Sequence, residues 1–136
     1  MNPRPEDFSR DRFAAANGVE LLEVAPGRAT TRLCLGEQHL NNLDVIHGGA
    51  MFTLAAAALF AACNAAGQAA VGINLSISYL KSVTSGTLTA QATEIARSRR
   101  LSTCQVQVFN DDGEQVALLT GTAYIKNEPY PPHREA

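Results

Sequence analysis

The residues best suited to chemistry stand at the start of a long apolar segment. His47, Gly48 and Gly49 come directly before a mostly apolar run that continues to Cys63. Glycine has no Cβ, so a ligand can approach its backbone closely. The first N–H groups of a helix lack intrahelical partners and lie at the positive end of the helix dipole. If a helix begins here, its start is a candidate site for holding a polarised or anionic oxygen.

Two polar residues before this segment have both a chemical and a structural interpretation. Asp44 is the carboxylate nearest to His47, and no Asp or Glu occurs between Asp44 and Glu94. Asp44 is therefore a tentative general base, as is His47 itself. Asn41 lies three residues before Asp44. Asn and Asp are also frequent in turns, where their side chains bond the nearby backbone, and His47 could equally cap the helix, so these alternatives stay open.

A short basic segment follows later in the chain. Arg97, Arg99 and Arg100 lie within four residues, and the planar guanidinium group suits phosphate. The segment predicts either a phosphate-binding patch or a solvated turn. Nucleic acid is not the expected partner, because the cluster lacks interleaved aromatic residues and the formal net charge of the chain is −2.

The three cysteines do not form a metal or disulfide pattern. Cys34, Cys63 and Cys104 are widely separated and odd in number, which argues against a disulfide framework or a zinc site and favours a reducing cytoplasm. No bound metal is expected. A catalytic pair of Cys63 and His47 is not expected either, because along a helix they would lie roughly 24 Å apart. The charged N-terminus contains no apolar leader.

The helix after His47 must position this chemistry. Residues 50–63 are rich in strong helix formers, and neither Gly nor Pro interrupts them. Because the segment is apolar on every face, it predicts a buried helix. It is too short for a convincing membrane span, so no membrane role is expected.

Alternating apolar and polar residues predict strands around this helix. The predicted strands are residues 19–24, 29–35, 71–80, 87–96, 101–109 and 115–125. In residues 71–80, the odd-numbered side chains from Val71 to Tyr79 form the apolar face, which favours an antiparallel sheet with one covered face. A short helix is expected within residues 5–16, with Phe8 and Phe13 on or near one face. The Pro-rich tail, residues 127–136, is expected to fray.

This order predicts one α+β domain over residues 1–136, with an antiparallel sheet curled around one long central helix. One sheet cannot cover all sides of an apolar helix. We therefore expect a second subunit to bury the remaining side, as a homodimer or a dimer of dimers.

That architecture, with its His-Gly-Gly helix start, resembles the hotdog fold, and most closely the phenylacetic-acid-degradation (PaaI-like) group of acyl-CoA thioesterases. The resemblance covers nearly the whole chain. It is most specific at Asn41, at residues 47–55 and at residues 61–64, and it continues through residues 73–81. Gly86, residues 97–100 and the Asp112-Gly113 hairpin also stand where the family has counterparts.

The resemblance implies a function and a site. An acyl- or aryl-CoA thioester would be hydrolysed to the free acid and CoA at a subunit interface. The Gly49 N–H would polarise the thioester carbonyl, and Asn41 and His47 would help to shape the site. A helix carboxylate, which would act as general base or nucleophile, falls at position 56.

The resemblance also indicates where the substrate would bind. CoA would run along the surface towards Arg97, Arg99 and Arg100. Gly48, whose backbone a ligand can approach closely, and Phe52, as core or pocket wall, are our own further candidates for substrate binding. CoA enters as part of the substrate, and no other cofactor is implied.

At position 56 the sequence departs from the family, because the residue is Ala56. Alanine can neither accept a proton nor attack a carbonyl, and loss of a general base typically costs about 10²–10⁴-fold in rate. Three interpretations remain: a thioesterase that uses a different carboxylate, a protein that binds acyl-CoA without hydrolysing it, and an enzyme disabled by an engineered substitution. A hotdog dehydratase would use a His base with a carboxylate partner, and the His-Gly-Gly start favours the thioesterase branch instead.

Overall fold

The computed structural model describes residues 3–132. Its helices are α1 (Arg12–Ala16) and α2 (Gly48–Asn64), and short 3₁₀ turns lie at Pro5–Phe8 and Glu37–His39. The strands are β1 (Val19–Ala25), β2 (Arg28–Cys34), β3 (Gln68–Tyr79), β4 (Thr87–Arg97), β5 (Leu101–Phe109) and β6 (Gln115–Pro129). They form one sheet in the order β1-β2-β4-β5-β6-β3, with every neighbouring pair antiparallel. The predicted α+β architecture is confirmed.

Helix α2 lies across the sheet and contacts all six strands. It begins two residues before the predicted segment and ends one residue after it. Leu54, Ala55, Ala58 and Ala62 are fully buried against the sheet, as an all-apolar helix requires. No helix in residues 3–132 is long and apolar enough to cross a membrane.

Strand β3 differs from the predicted alternation. The pairing of β3 with β6 shifts between Gly72 and Asn74, and such a bulge changes which side chains face the core. Before the shift Ala70 is buried and Val71 is 46% exposed, and Ile73, at the shift itself, is 59% exposed. The predicted apolar face from Val71 to Tyr79 is therefore wrong in its first half. Only after the shift do Leu75 and Ile77 pack against the core.

The N-terminal segment is divided where one helix was expected. The Asp11 carboxylate accepts a hydrogen bond from the Ala14 N–H at 3.0 Å and so begins α1. Phe8 is buried, but Phe13 is 70% exposed. The expectation that these two rings share a face is wrong, because the helix restarts between them.

The C-terminal tail is ordered further than expected. Strand β6 continues to Pro129, which pairs with Gln68, and the Tyr130 N–H donates to the Gly67 carbonyl at 2.9 Å. The Tyr130 ring lies 4.9 Å from the ring of Phe8. The expected fraying from residue 127 is thus wrong up to residue 130, because the strand and its aromatic contact hold the chain. Residues 133–136 lie outside the described residues.

Candidate active site

The start of α2 brings His47 and Gly49 together. His47 is the N-cap residue, and its Nδ1 accepts a hydrogen bond from the Gly49 N–H at 2.8 Å. The imidazole is exposed. The N–H group that the sequence singles out is therefore capped by the side chain of its neighbour. A substrate oxygen can reach this donor only by replacing the ring nitrogen.

Gly48 supplies a second donor at the same place. Its N–H has no hydrogen-bond partner within residues 3–132, whereas the Ala50 N–H is bonded to the His47 carbonyl. The Gly48 carbonyl accepts a hydrogen bond from the Tyr79 hydroxyl at 2.8 Å. A Cβ at position 48 would lie 2.8 Å from that hydroxyl oxygen. Glycine thus allows the close approach of Tyr79, and a side chain at this position would displace the exposed Tyr79 ring.

Tyr79 is a site residue that the sequence analysis missed. The alternation places it on an apolar strand face, but its hydroxyl reaches the helix start 31 residues away in sequence. Burial raises the pKa of the Tyr79 hydroxyl, so the group remains a protonated donor at neutral pH. The only feature of the sequence that could have indicated this role is a single Tyr in a strand composed mainly of aliphatic and Ser residues.

The loop before α2 is held by its own side chains. Asn41 Oδ1 accepts hydrogen bonds from the N–H groups of Leu43 at 2.8 Å and Val45 at 3.4 Å, which is an Asx turn. Asp44 is exposed and has a φ of 58°, a conformation that Asp tolerates better than most residues. Neither side chain is hydrogen-bonded to the helix start.

A buried histidine fixes where this loop meets the helix. His39 Nδ1 accepts a hydrogen bond from the Gly36 N–H at 2.9 Å, and the His39 carbonyl accepts one from the His47 N–H at 2.7 Å. His39 is 2% exposed. The buried His39 therefore fixes the backbone position of His47 through this hydrogen bond.

An apolar cavity of about 320 Å³ runs along the outward side of α2. Phe52, Thr53, Ala56 and Phe60 line it from the helix, and Leu75 lines it from β3. Asp11 and Phe13 line it from the N-terminal segment. Ala56, where the resemblance places a carboxylate, thus faces an open apolar space.

Cys63 lines one end of the same cavity. Burial, followed by the nearby Cys104, raises the pKa of the Cys63 thiol from 9.0 to about 12. Burial also raises the pKa of Cys104. Both thiols are protonated at neutral pH and serve as packing groups rather than nucleophiles.

The basic segment lies at the other end of α2. Arg97 Nη1 donates to Glu94 Oε2 at 2.9 Å and to the Cys63 carbonyl at 3.3 Å, so it has a structural role. Arg99 and Arg100 are exposed in the turn between β4 and β5. The helix has 17 residues, which is about 25 Å at 1.5 Å per residue. One chain therefore does not bring Gly49 and these arginines together.

Within residues 3–132, no group of three or more His, Cys, Asp or Glu side chains is arranged to hold a metal ion. The site consists instead of backbone donors beside an apolar cavity. Such a combination can bind a carbonyl oxygen at one end and an apolar substituent at the other.

Comparisons with known proteins give the same picture. Residues 43–117 match the sequence profile of the Thioesterase superfamily. The acyl-coenzyme A thioesterase PaaI of Escherichia coli K12 is 30% identical over 118 residues, which cover 86% of this chain and 84% of that protein.

Two solved structures extend the comparison. A mutant of the phenylacetic acid degradation protein PaaI from Thermus thermophilus is 34% identical, with a TM-score of 0.80 over 84% of this chain and 98% of that one. A Streptococcus mutans UA159 protein bound to acetyl CoA is 26% identical, with a TM-score of 0.76 over 79% of this chain and 88% of that one.

Proposed function

Because the chain belongs to the Thioesterase superfamily and has the hotdog fold of its PaaI-like members, we propose that it hydrolyses acyl-CoA thioesters to the free acid and CoA. The observation that carries this proposal is the start of α2. There the Gly48 N–H, which has no partner among residues 3–132, lies next to the Gly49 N–H, which is capped by the exposed His47 ring. Backbone donors of this kind stabilise the negative oxygen that develops during acyl transfer.

The thioester oxygen replaces the His47 imidazole at the Gly49 N–H. His47 is exposed and is held there by one hydrogen bond, so its side chain can turn aside. The displaced imidazole then orients water or substrate, together with Asn41. Tyr79 donates a hydrogen bond to the Gly48 carbonyl and so ties the end of β3 to the helix start.

The complete site needs a second copy of the chain. β3 is an edge strand, so one row of its backbone groups is available for pairing. Val71, Ile73, Tyr79 and Leu80 are exposed on it or directly after it. Two copies pair along β3 about a two-fold axis, which places both α2 helices antiparallel on the same face of the joined sheet.

This pairing explains the position of the basic turn. Arg99 and Arg100 lie at the far end of α2 from Gly49 within one chain, but antiparallel helices bring the partner's Arg99 and Arg100 towards that helix start. Guanidinium groups suit the phosphates of CoA, and the Streptococcus mutans relative is bound to acetyl CoA. The acyl or aryl group occupies the apolar cavity beside Phe52 and Ala56.

The unpaired thiols support a reducing location. Cys34, Cys63 and Cys104 are all free, as is usual for a cytoplasmic protein.

A second candidate function is acyl-CoA binding without hydrolysis. Ala56 favours it, because the helix presents no carboxylate to the cavity. Binding would then use the same backbone donors and the same cavity, and the thioester would remain intact.

Turnover of a panel of aryl- and alkyl-CoA thioesters by the chain and by Ala56→Asp separates these functions. We expect the unmodified chain to hydrolyse at least one thioester at a measurable rate. The assay detects the free CoA thiol that hydrolysis releases. Binding of the thioesters in calorimetry without turnover by either variant would favour the binding function. If the unmodified chain hydrolyses thioesters rapidly and Ala56→Asp is no faster, then Ala56 does not mark the position of a missing catalytic carboxylate.

A further inference from the structure

One carboxylate lines the cavity over Ala56, and it comes from the N-terminal segment. Of the described residues that line this cavity, Asp11 is the only acid. We propose that Asp11 is the general base that activates water for thioester hydrolysis, in place of a carboxylate at position 56. This inference rests on the proposed function and assigns its missing acid–base group.

The fold holds Asp11 over the helix through contacts on both sides of it. The buried Phe8 ring lies edge-on to Phe60 of α2, with ring centroids 6.3 Å apart. The Asp11 N–H donates to the Phe8 carbonyl at 3.3 Å. Asp11 Oδ1 accepts the Ala14 N–H at 3.0 Å. The Phe8 contact thus holds the segment before Asp11, and the cap of α1 holds the segment after it.

The second carboxylate oxygen of Asp11 is available. Within residues 3–132, Oδ2 has no hydrogen-bond or ion-pair partner, while Oδ1 serves as the cap of α1. A base needs a lone pair that is free to receive a proton from water. Asp11 keeps one such oxygen while the other fixes its geometry.

The other groups of this region are less suited to the role. The Cys63 thiol at the end of the cavity is protonated and buried. Thr53 donates its hydroxyl to the Gly49 carbonyl at 2.8 Å. Asp44 lies in the exposed loop before α2 and does not line the cavity.

The reaction balances with Asp11 as the proton carrier. Asp11 removes a proton from water as the water oxygen bonds to the thioester carbon, and the negative charge moves to the carbonyl oxygen at the helix-start N–H groups. The C–S bond then breaks, the carbonyl re-forms, and Asp11 returns its proton to the leaving thiolate of CoA.

The helix start that serves this carbonyl belongs to the partner. Gly49 and Ala56 are about 10 Å apart along one helix at 1.5 Å per residue. In the proposed dimer the two α2 helices are antiparallel, and the α2 start of one subunit lies beside the middle of α2 in the other. Asp11, together with the middle of α2 in its own subunit, thus completes the site at the helix start of the neighbouring subunit.

The test is Asp11→Asn in the full chain, with Asp7→Asn as the matched control. Asn caps a helix about as well as Asp, so α1 remains. Asp7 is an acid of the same segment that does not line this cavity. We expect Asp11→Asn to lower kcat by about 10²–10⁴-fold with a smaller change in KM, and Asp7→Asn to leave both unchanged.

The pH profile and a rescue variant separate catalysis from scaffolding. In Asp11→Asn the acidic limb of kcat/KM should disappear, and Ala56→Asp combined with Asp11→Asn should recover turnover. Undiminished turnover in Asp11→Asn, or a slow variant with its acidic limb intact, overturns the role of Asp11 and leaves the proposed function standing. No turnover of any thioester by the unmodified chain overturns the proposed function and this role together.

Discussion

At the scale of single residues, the candidate site depends on which backbone N–H groups at the start of α2 can donate to a substrate. The His47 ring accepts the Gly49 N–H, and the Gly48 N–H next to it has no partner in the described part of the chain. A donor that is capped by an exposed side chain stays satisfied in the absence of substrate, and it costs one hydrogen bond to release. Substrate binding and His47 movement are therefore linked in the proposed function.

Gly49→Pro tests the donor itself, with Gly49→Ala as its control. Proline removes the N–H but is tolerated in the first turn of a helix. Alanine keeps the N–H and adds the same Cβ, which would lie 2.9 Å from His47 Nδ1 and displace that exposed ring. We expect kcat of Gly49→Pro to fall about 10²–10³-fold below that of Gly49→Ala in a steady-state assay. Equal rates in the two variants would show that this N–H does not polarise the carbonyl.

At the scale of elements, the two ends of α2 are fixed by different means. The start is held by His47 and Tyr79, and the end by Asn64. Asn64 Nδ2 donates to the carbonyls of Phe60 at 2.9 Å and Ala70 at 3.1 Å, and its Oδ1 accepts the Ala70 N–H at 2.8 Å. Asn64 is 1% exposed. One buried amide thus ties the helix end to the first residues of β3.

Asn64→Leu should lower the free energy of unfolding. The substitution keeps the number and branching of the side-chain heavy atoms but removes both hydrogen bonds to Ala70 in a buried setting, where each unmet group costs about 1–3 kcal/mol. We expect a loss of about 2–4 kcal/mol in urea unfolding followed by circular dichroism. Asn42→Leu is the control, because Asn42 is exposed and its side chain has no hydrogen bond within residues 3–132. A loss no larger than that of the control would contradict this role.

At the scale of the whole molecule, the two sheet edges differ in their apolar exposure. β3 carries Ile73 at 59% exposure with further exposed apolar residues beside it, whereas β1 at the other edge carries only Leu22 at 38%. A row of free backbone groups with exposed aliphatic residues favours pairing with another copy. The β3 bulge contributes to this surface, because it turns Ile73 outwards.

Ile73→Arg should dissociate the subunits, and Leu22→Arg on the opposite edge should not. A buried, unpaired charge in the interface opposes association. Light scattering is expected to give twice the chain mass of 14.5 kDa, or a multiple of it, for the unmodified chain and Leu22→Arg. Ile73→Arg should give a monomer mass together with loss of thioesterase turnover. A monomer mass for the unmodified chain would remove the proposed interface site.

Several features were readable from the sequence because they depend on neighbouring residues. The apolar run of α2 and the alternation of apolar and polar residues in the strand segments predicted an α+β sheet around one helix. The resemblance to hotdog thioesterases, carried by residues 47–55, is confirmed by the family match. The His-Gly-Gly segment also predicted that backbone donors at the helix start bind the substrate oxygen, and this stays a prediction.

Other features arise only from contacts between distant parts of the chain. The hydrogen bond of Tyr79 to Gly48, the place of Asp11 over Ala56 and the separation of Arg99 from Gly49 depend on how the elements pack. The β3 bulge likewise depends on its register with β6. Local composition and periodicity determined which elements form and where the helix begins, because these follow from short-range backbone and burial preferences. Tertiary packing decided that Tyr79 reaches the helix start, that Asp11 reaches the cavity and that the β3 edge exposes apolar side chains, because long-range contacts that no local pattern encodes set all three.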